Sequence, residues 1–223
     1  MTTFKHSGAT GDLVFSLPTI RKMGGGTLYI TPYHLQRAES IAPLVKIQPY
    51  IEDVIITDNL PHIDVDLDKF RQYASHHFNI IEAHLKAQNL EDNTWRDGWL
   101  TLEKKDFYIP YTYSVINTGS NYLDPNFDWH KEIRYLLSIS EKVFYLGYKQ
   151  EFDKLNTNEA EFFDCDFLGA AEMIYNAQMF TGGYSALSTI AMGLGINYRM
   201  VQAPGHTCSS LLMEREKIVN ICL

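Results

Sequence analysis

A strand that feeds through glycines into a helix constrains the fold of this chain more than any other feature. The apolar run at 177–180 stops at Gly182-Gly183, small residues follow, and the helix-like run at 187–194 closes at Gly195. Such a junction exposes unpaired backbone N–H groups and the positive end of a helix dipole, which together favour phosphate. In the turn itself, Ser185 has two possible roles, because its hydroxyl can cap the helix or donate to a phosphate oxygen.

A second junction of the same kind lies at the other end of the chain. A short strand at 3–6 enters a turn, and an apolar helix is predicted from Leu13 to about Met23. The turn residues are Ser7, Gly8, Ala9, Thr10, Gly11 and Asp12. Asp12 lies at or near the predicted helix start, where a carboxylate is favoured, so position alone is consistent with a simple cap. Two such turns predict two nucleotide-fold halves that face each other.

Composition excludes several classes of protein. The chain has 223 residues and a net charge of −8, which argues against a duplex nucleic-acid binder with a basic face. Its three cysteines show neither metal-ligand spacing nor an even disulfide framework, which favours a reduced compartment. The N-terminal residues contain no apolar signal segment, and no window approaches 18 apolar residues. We therefore expect a cytoplasmic protein with no membrane span.

The alternation of predicted strands and helices indicates a parallel α/β fold. We expect Gly24-Gly25-Gly26 to end a helix and turn into a strand, because it follows the helix rather than preceding one. Further strands are predicted at 27–31, 54–57, 100–111, 113–117, 142–146, 164–167 and 198–202. Further helices are predicted at 33–45, 78–90, 132–140, from 151, 170–177 and 209–217. The two halves are predicted as domains 1–111 and 112–223.

Two groups of residues raise the question of a metal site. Asp64, Asp66 and Asp68 alternate along a possible edge strand, so they would share one face. This pattern is compatible with a metal site but is more typical of a solvated face. His77 and His84 could share a helix face, but the sequence offers no third ligand. We expect no bound metal.

With these elements placed, the chain resembles the heptosyltransferase-like family of bacterial glycosyltransferases, which have the GT-B fold. Residues 11–18 look like that family's opening G-D-x-x-x-x-L-P segment. Residues 168–177 resemble its stretch leading into the nucleotide-binding turn, and 182–195 resemble its G-N-D-S-G-x-x-H-L-A-A-A-L-G. Residues 115–120 look like the end of one of its strands, h-h-x-P-G-[AS], where h is a hydrophobic residue. Residues 143–147 look like another of its strands, h-h-L-L-G. No family motif matches the segment 61–110, which contains Trp95 and Trp99 and where acceptor specificity or simple packing is expected.

The chain departs from the family pattern in the nucleotide-binding turn. Where the family has N-D-S-G-x-x-H, this chain has Gly183, Tyr184, Ser185, Ala186 and Thr189. The acidic residue and the histidine of the pattern are therefore missing. The chain is also shorter than typical members of the family.

The resemblance implies two Rossmann-like domains around a cleft, with a nucleotide-sugar donor held mainly by the second. It implies Asp12 as the base that deprotonates an acceptor hydroxyl. Backbone N–H groups of 182–186 and the Ser185 hydroxyl would hold the diphosphate. The expected donor contacts are Thr118, Gly119, Ser120, Lys131, Gly182, Gly183, Tyr184, Ser185, Ala186 and Thr189. Lys131 is equally well explained as a solvated helix residue, and Ser7, Gly8, Thr10 and Gly11 are expected to shape the first turn.

The resemblance further implies an inverting, metal-independent transfer from a nucleotide sugar, with an ADP-linked sugar suspected, to a carbohydrate or another hydroxyl-bearing acceptor. A non-catalytic nucleotide- or glycan-binding module on the same fold is the main alternative, because the turn at 183–189 is altered. A dinucleotide-dependent oxidoreductase is a third possibility. Residues 7–12 lack the G-x-G-x-x-G spacing, and no acidic residue closes the second predicted strand.

Overall fold

The computed structural model describes residues 1–7, 10–31, 34–73, 79–102, 109–119 and 125–201. These residues form two compact units, unit 1 up to residue 102 and unit 2 from residue 109 onward. The predicted closing helix at 209–217 lies outside the described residues. The domain boundary predicted between 111 and 112 stays a prediction.

Unit 1 has a sheet of four parallel strands in the order β3-β2-β1-β4. Its strands are β1 (Thr2–His6), β2 (Gly26–Ile30), β3 (Ile51–Ile56) and β4 (Val65–Asp66). Its helices are α1 (Thr10–Lys22), α2 (Leu35–Lys46) and α3 (Ile80–Ala87), with 3₁₀ segments at Leu67–Gln72 and Thr94–Asp97. The first 3₁₀ segment follows the edge strand β4 directly, and this places its side chains beside the end of β1.

The glycine triplet at 24–26 connects α1 to β2, as the sequence predicts. Gly25 and Gly26 have φ values of +84° and +152°, which residues with a Cβ rarely adopt. A Cβ on Gly25 would lie 2.3 Å from the carbonyl oxygen of Tyr50. The triplet is thus a tight packed turn.

Unit 2 has a sheet of five parallel strands in the order β7-β6-β5-β8-β9. Its strands are β5 (Tyr113–Asn117), β6 (Lys142–Tyr145), β7 (Glu161–Phe162), β8 (Phe180–Gly182) and β9 (Tyr198–Met200). Its helices are α4 (Trp129–Leu137), α5 (Lys149–Leu155), α6 (Phe167–Tyr175) and α7 (Ala186–Gly193). Every residue of β5 is buried, as expected for the central strand of a sheet covered on both faces.

Two strand predictions differ from the structure. The strand predicted at 164–167 is wrong, because β7 lies at Glu161–Phe162 and Asp166 caps α6 by accepting from the Gly169 N–H at 2.8 Å. Of the strand predicted at 100–111, the described residues 100–102 and 109–111 are not in a strand, and 103–108 lie outside the described residues.

The two tryptophans of the unmatched segment are core residues. Trp95 and Trp99 have exposed fractions of 0% and 1%. The indole N–H of Trp99 donates to the Val14 carbonyl in α1 at 3.0 Å, and that of Trp95 donates to the Asp92 carbonyl at 2.9 Å. Packing, rather than acceptor recognition, accounts for both side chains.

Candidate functional site

Each sheet has a point where the order of its strands reverses. In unit 1, β1 lies between β2 and the later strand β4, and in unit 2, β5 lies between β6 and the later strand β8. Connections on the two sides of such a point run to opposite faces of the sheet, which leaves a crevice at the carboxyl ends of the strands. Both glycine-containing turns predicted from the sequence follow strands at these points.

In unit 2, the two predicted donor-binding stretches are brought together by strand pairing. Asn117, the last residue of β5, pairs with Gly182, the last residue of β8. Thr118 and Gly119 therefore lie beside Gly183, whose N–H donates to the Asn117 carbonyl at 3.4 Å. A Cβ on Gly182 would lie 2.8 Å from the Phe180 ring, so close packing restricts this position to glycine.

The turn after β8 ends in a well-capped helix. Ser185 is the N-cap of α7, and its hydroxyl accepts from the Ser188 N–H at 3.4 Å while the Ser188 hydroxyl accepts from the Ser185 N–H at 2.9 Å. This confirms the capping role of Ser185. Tyr184 and Ala186 are partly exposed beside it. Thr189 is only 3% exposed, and its hydroxyl donates to the Ser185 carbonyl at 3.2 Å. Thr189 therefore stabilises the turn from its buried side.

Lys131 lies in the first turn of α4, the helix that follows β5. Its backbone N–H donates to the Asp128 carboxylate at 2.9 Å, which caps the helix, and its side chain is exposed. Since α4 starts after β5, this first turn lies toward the carboxyl end of the sheet. At this position the Lys131 side chain could contact a bound anion, or it could simply be solvated. Ser120 lies outside the described residues.

Sequence reasoning missed a polar chain at the same edge of unit 2. The Thr118 and Tyr145 hydroxyls lie 3.0 Å apart, and the Tyr145 hydroxyl donates to the Glu151 carboxylate at 3.2 Å. Burial raises the pKa of Tyr145 to about 12, so the phenol stays protonated. The Glu151 carboxylate also lies over Gly119, where a Cβ would be 2.8 Å from it. The only sequence signal was that Tyr145 and Glu151 both lie near the end of β6.

In unit 1, the turn after β1 is held by a carboxylate from the first 3₁₀ segment. Both the N–H and the hydroxyl of Ser7 donate to Asp68, whose carboxylate also pairs with Lys5 at 2.9 Å. Burial alone would raise the pKa of Asp68, but the Ser7 and Lys5 contacts lower it overall. Thr10 and Gly11 form the start of α1, and Gly8 lies outside the described residues.

Asp12 is the third residue of α1, inside the first helical turn. Its side chain is 22% exposed, and its Oδ2 accepts from the Arg71 guanidinium at 3.3 Å. Burial raises the pKa of Asp12, while the positive charge and the hydrogen bond of Arg71 act in the opposite direction. Asp12 is thus a partly buried carboxylate paired with an arginine that sequence reasoning did not single out.

Two buried histidines lie next to this turn. His6 ends β1 with an exposed fraction of 0%, and His84 on α3 is 1% exposed. Their ring centroids are 5.8 Å apart, and the Phe70 ring stacks on His84 at 4.0 Å. Burial lowers the pKa of His6 to about 4 and that of His84 well below its usual value, so both rings are neutral near pH 7.

The three alternating aspartates have partners along β1. Asp64 accepts from the Thr3 N–H at 2.8 Å, Asp66 pairs with Lys5 at 3.5 Å, and Asp68 binds Ser7. The expectation of a solvated face holds in part, because Asp64 and Asp66 are 43% and 39% exposed. Strand pairing also puts the three carboxylates beside donor groups of β1 and of the turn after it. Among the described residues, no group of three or more His, Cys, Asp or Glu side chains could hold a metal ion.

Comparison with known proteins gives matches in structure but not in sequence. No protein-family model and no curated protein matches the chain. The iron-containing dodecameric glycosyltransferase TibC from enterotoxigenic E. coli H10407 matches with a TM-score of 0.70 at 17% identity. That match covers 98% of this chain and 61% of TibC, so the chain spans less than two thirds of that protein.

Two further solved structures match over most of their own length. ADP-heptose LPS heptosyltransferase II of E. coli matches with a TM-score of 0.71 at 11% identity, covering 99% of this chain and 95% of that one. E. coli heptosyltransferase WaaC matches with a TM-score of 0.64 at 11% identity, covering 97% and 91%. In the described part of the chain, no helix is long and apolar enough to cross a membrane. The two parallel sheets and these matches show that the chain has the GT-B fold of the heptosyltransferase-like glycosyltransferases.

Proposed function

We propose that the protein is a glycosyltransferase that moves a sugar from a nucleoside-diphosphate sugar to an acceptor hydroxyl. The observation that carries the proposal is the pairing of Asn117 with Gly182, which brings the predicted donor-binding turns together at the switch point of unit 2. In unit 1, a partly buried aspartate lies at the corresponding point. Both features support the proposal.

The donor would be held by unit 2. The helix dipole of α7 and the backbone N–H groups of its first turn, beginning at Ala186, would stabilise the diphosphate, and the Ser185 hydroxyl would add a donor. The N–H groups of Gly183 and Ser185 already donate to the Asn117 carbonyl and the Ser188 hydroxyl, so they shape the turn. Thr118 and Gly119 would contact the same ligand from β5, with Lys131 supplying charge from α4. Because these groups can stabilise a leaving diphosphate without a bound cation, we expect the transfer to be metal-independent, and activity should survive EDTA.

Asp12 would act as the base. Its carboxylate would take the proton of the acceptor hydroxyl as the acceptor oxygen bonds to the anomeric carbon and the nucleoside diphosphate leaves. A single displacement of this kind inverts the anomeric centre. WaaC was solved with ADP and with ADP-2-deoxy-2-fluoro heptose, and TibC with ADP-D-β-D-heptose, so an ADP-linked sugar is the first donor to test.

The first test is a thermal-shift screen against ADP-, UDP-, GDP-, CMP- and TDP-sugars, with NAD as a control for the oxidoreductase alternative. A donor at about 100 times its Kd stabilises the folded protein by roughly 2.7 kcal/mol, which raises Tm by a few degrees. We expect a shift with an ADP-sugar and none with NAD. A shift with NAD alone would contradict the proposal.

The second test is turnover, followed as release of the nucleoside diphosphate with a panel of acceptors. Replacing Asp12 by Asn removes the base while keeping its size, so we expect a loss of about 100-fold or more in kcat. Asp53→Asn is the matched control, because Asp53 lies on the surface of unit 1, where it pairs with Lys46 and accepts from the Val54 N–H. Full turnover by Asp12→Asn would refute the role of Asp12.

A non-catalytic binding module is the second candidate, and the turn sequence Gly183-Tyr184-Ser185-Ala186 favours it. This turn lacks the acidic residue of the family pattern, while its backbone and capped helix remain suited to a phosphate. A module of this kind would bind the donor in the thermal-shift screen but would neither transfer nor hydrolyse it. The turnover assay therefore separates the two candidates.

A further inference from the structure

Arg71 reaches Asp12 from the 3₁₀ segment that follows β4. Its guanidinium Nη2 lies 3.3 Å from Asp12 Oδ2, and its side chain is 56% exposed, against 22% for Asp12. An ion pair this exposed adds little to fold stability. Its consequence is chemical, because it puts one positive charge against the side chain that the proposed function uses as a base.

Arg71 is held in place by aromatic stacking. Its guanidinium carbon lies 4.9 Å from the centroid of the Phe70 ring, and that ring stacks on the buried His84 at 4.0 Å. A planar guanidinium suits this arrangement better than the ammonium of lysine, because it can stack and donate in a fixed direction at once. The stack thus directs Arg71 toward the first turn of α1.

We propose that Arg71 is a positioning residue for the transfer, in that it fixes the Asp12 carboxylate through Oδ2 and leaves Oδ1 to take the acceptor's proton. The inference rests on the proposed function. The proton passes from the acceptor hydroxyl to Oδ1 as the acceptor oxygen bonds to the anomeric carbon, and the nucleoside diphosphate leaves with its bonding electrons. Arg71 itself touches neither substrate in this role.

The pH dependence of turnover follows from the groups that face Asp12. In the described part of unit 1 these are Arg71 and Asp68 from the 3₁₀ segment and His84 from α3. Burial keeps His84 neutral, and Asp68 is already paired with Lys5 and Ser7. Arg71 is therefore the group that favours the ionised form of Asp12, and its removal should raise the pKa of that carboxyl.

The test compares Arg71→Gln and Arg71→Lys with the wild-type protein in two measurements. The first is the pKa of the Asp12 carboxyl, followed by carbon-13 NMR, and the second is the pH profile of kcat. We expect Arg71→Gln to raise the NMR pKa by about one unit and to move the acid limb of the profile upward by the same amount. The KM for the donor should stay within a factor of about two, and Arg71→Lys should recover part of the shift.

Arg96→Gln is the matched control. Arg96 lies over the Trp95 ring at 4.9 Å and pairs with Glu82 at 3.6 Å, so it repeats the geometry of Arg71 away from Asp12. It should change neither the pKa of Asp12 nor the acid limb. An unchanged pKa of Asp12 in Arg71→Gln would overturn the positioning role of Arg71 but leave the proposed function standing. Absence of turnover in the wild-type protein would overturn the proposed function and the positioning role with it, even where the pKa shift is seen.

Discussion

Burial sets the protonation state of the side chains beside the first turn of unit 1. His6 and His84 are buried against Phe70, and the cost of placing a charge there keeps both rings neutral. Asp12 is less buried, and its charge is supported by Arg71. The same small region thus holds two neutral bases beside a carboxyl whose pKa is raised by burial against the opposing effect of Arg71.

The buried histidines predict a loss of stability in mild acid. The pKa of His6 is about 4 in the folded protein and about 6.5 when unfolded, so the unfolded chain binds more protons between these values. The contribution of His6 to the free energy of unfolding is therefore complete above pH 6.5. It is lost as the pH drops toward 4, and the loss is on the order of 3 kcal/mol. Urea unfolding at a series of pH values measures this slope.

Variants identify the source of that slope. His6→Asn should flatten the loss of unfolding free energy between pH 6.5 and 4, whatever its effect on stability at neutral pH. His62→Asn is the control for the removal of a histidine, because the His62 side chain is 90% exposed and its loss should change the slope far less than His6→Asn does. Direct NMR titration of the His6 ring gives a second readout, and an ordinary pKa there would contradict the prediction.

Asp12 and Arg71 also show how far residue-level reasoning from sequence extends. Asp12 could be singled out because its place after a glycine turn is local information. Arg71 follows the segment that the alternating aspartates made look like an edge strand, and no motif marks it. Its contact with Asp12 depends on the pairing of β4 with β1, which no local pattern specifies.

At the level of elements, a buried ion pair links the helix and strands of unit 2. Glu132 on α4 forms an ion pair with Arg199 on β9 at 3.3 Å and accepts from the Thr181 hydroxyl on β8 at 3.0 Å. The two charged side chains are 5% and 12% exposed. Burial raises the pKa of Glu132, and Arg199 and Thr181 partly oppose that rise.

Removing one member of this pair should cost more than removing both. Arg199→Met leaves the Glu132 charge buried without its cation, and we expect a loss of about 3–5 kcal/mol in unfolding free energy. The double variant with Glu132→Met removes both charges and should recover much of that loss. Urea unfolding of the single and double variants measures the coupling, and strictly additive losses would refute it.

Local sequence signals predicted the elements well where hydrophobic runs and glycines coincide. The strand at 113–117 matches β5, and the helix beginning after Ser185 matches α7. The strand predicted at 164–167 failed because Asp166 is a helix cap rather than part of an extended run. A polar residue before a helix gives the same short-range pattern as the end of a strand.

At the scale of the whole chain, the two units share one plan. In each sheet the strand order begins 3-2-1-4, where strands are numbered along the chain within each unit. The predicted turn follows the first strand in unit 1 and the fourth strand in unit 2. The sequence could predict the alternation of strands and helices and the two turns, because each strand–turn–helix junction is encoded locally, but it did not predict the strand order. The contacts of Glu151 with Tyr145 and of Arg71 with Asp12 could not be predicted, because they depend on how those elements pack.

The most direct test of the account is hydrogen–deuterium exchange of the wild-type protein with and without a saturating ADP-sugar. The account predicts slower exchange in peptides that contain Thr118-Gly119 and 183–186, because a bound donor would cover both turns and restrict their opening. The tight turn at Gly24-Gly25-Gly26 serves as the internal control and should not change. Protection confined to that turn, or absent from both donor-binding stretches while the ligand binds, would contradict the central claim.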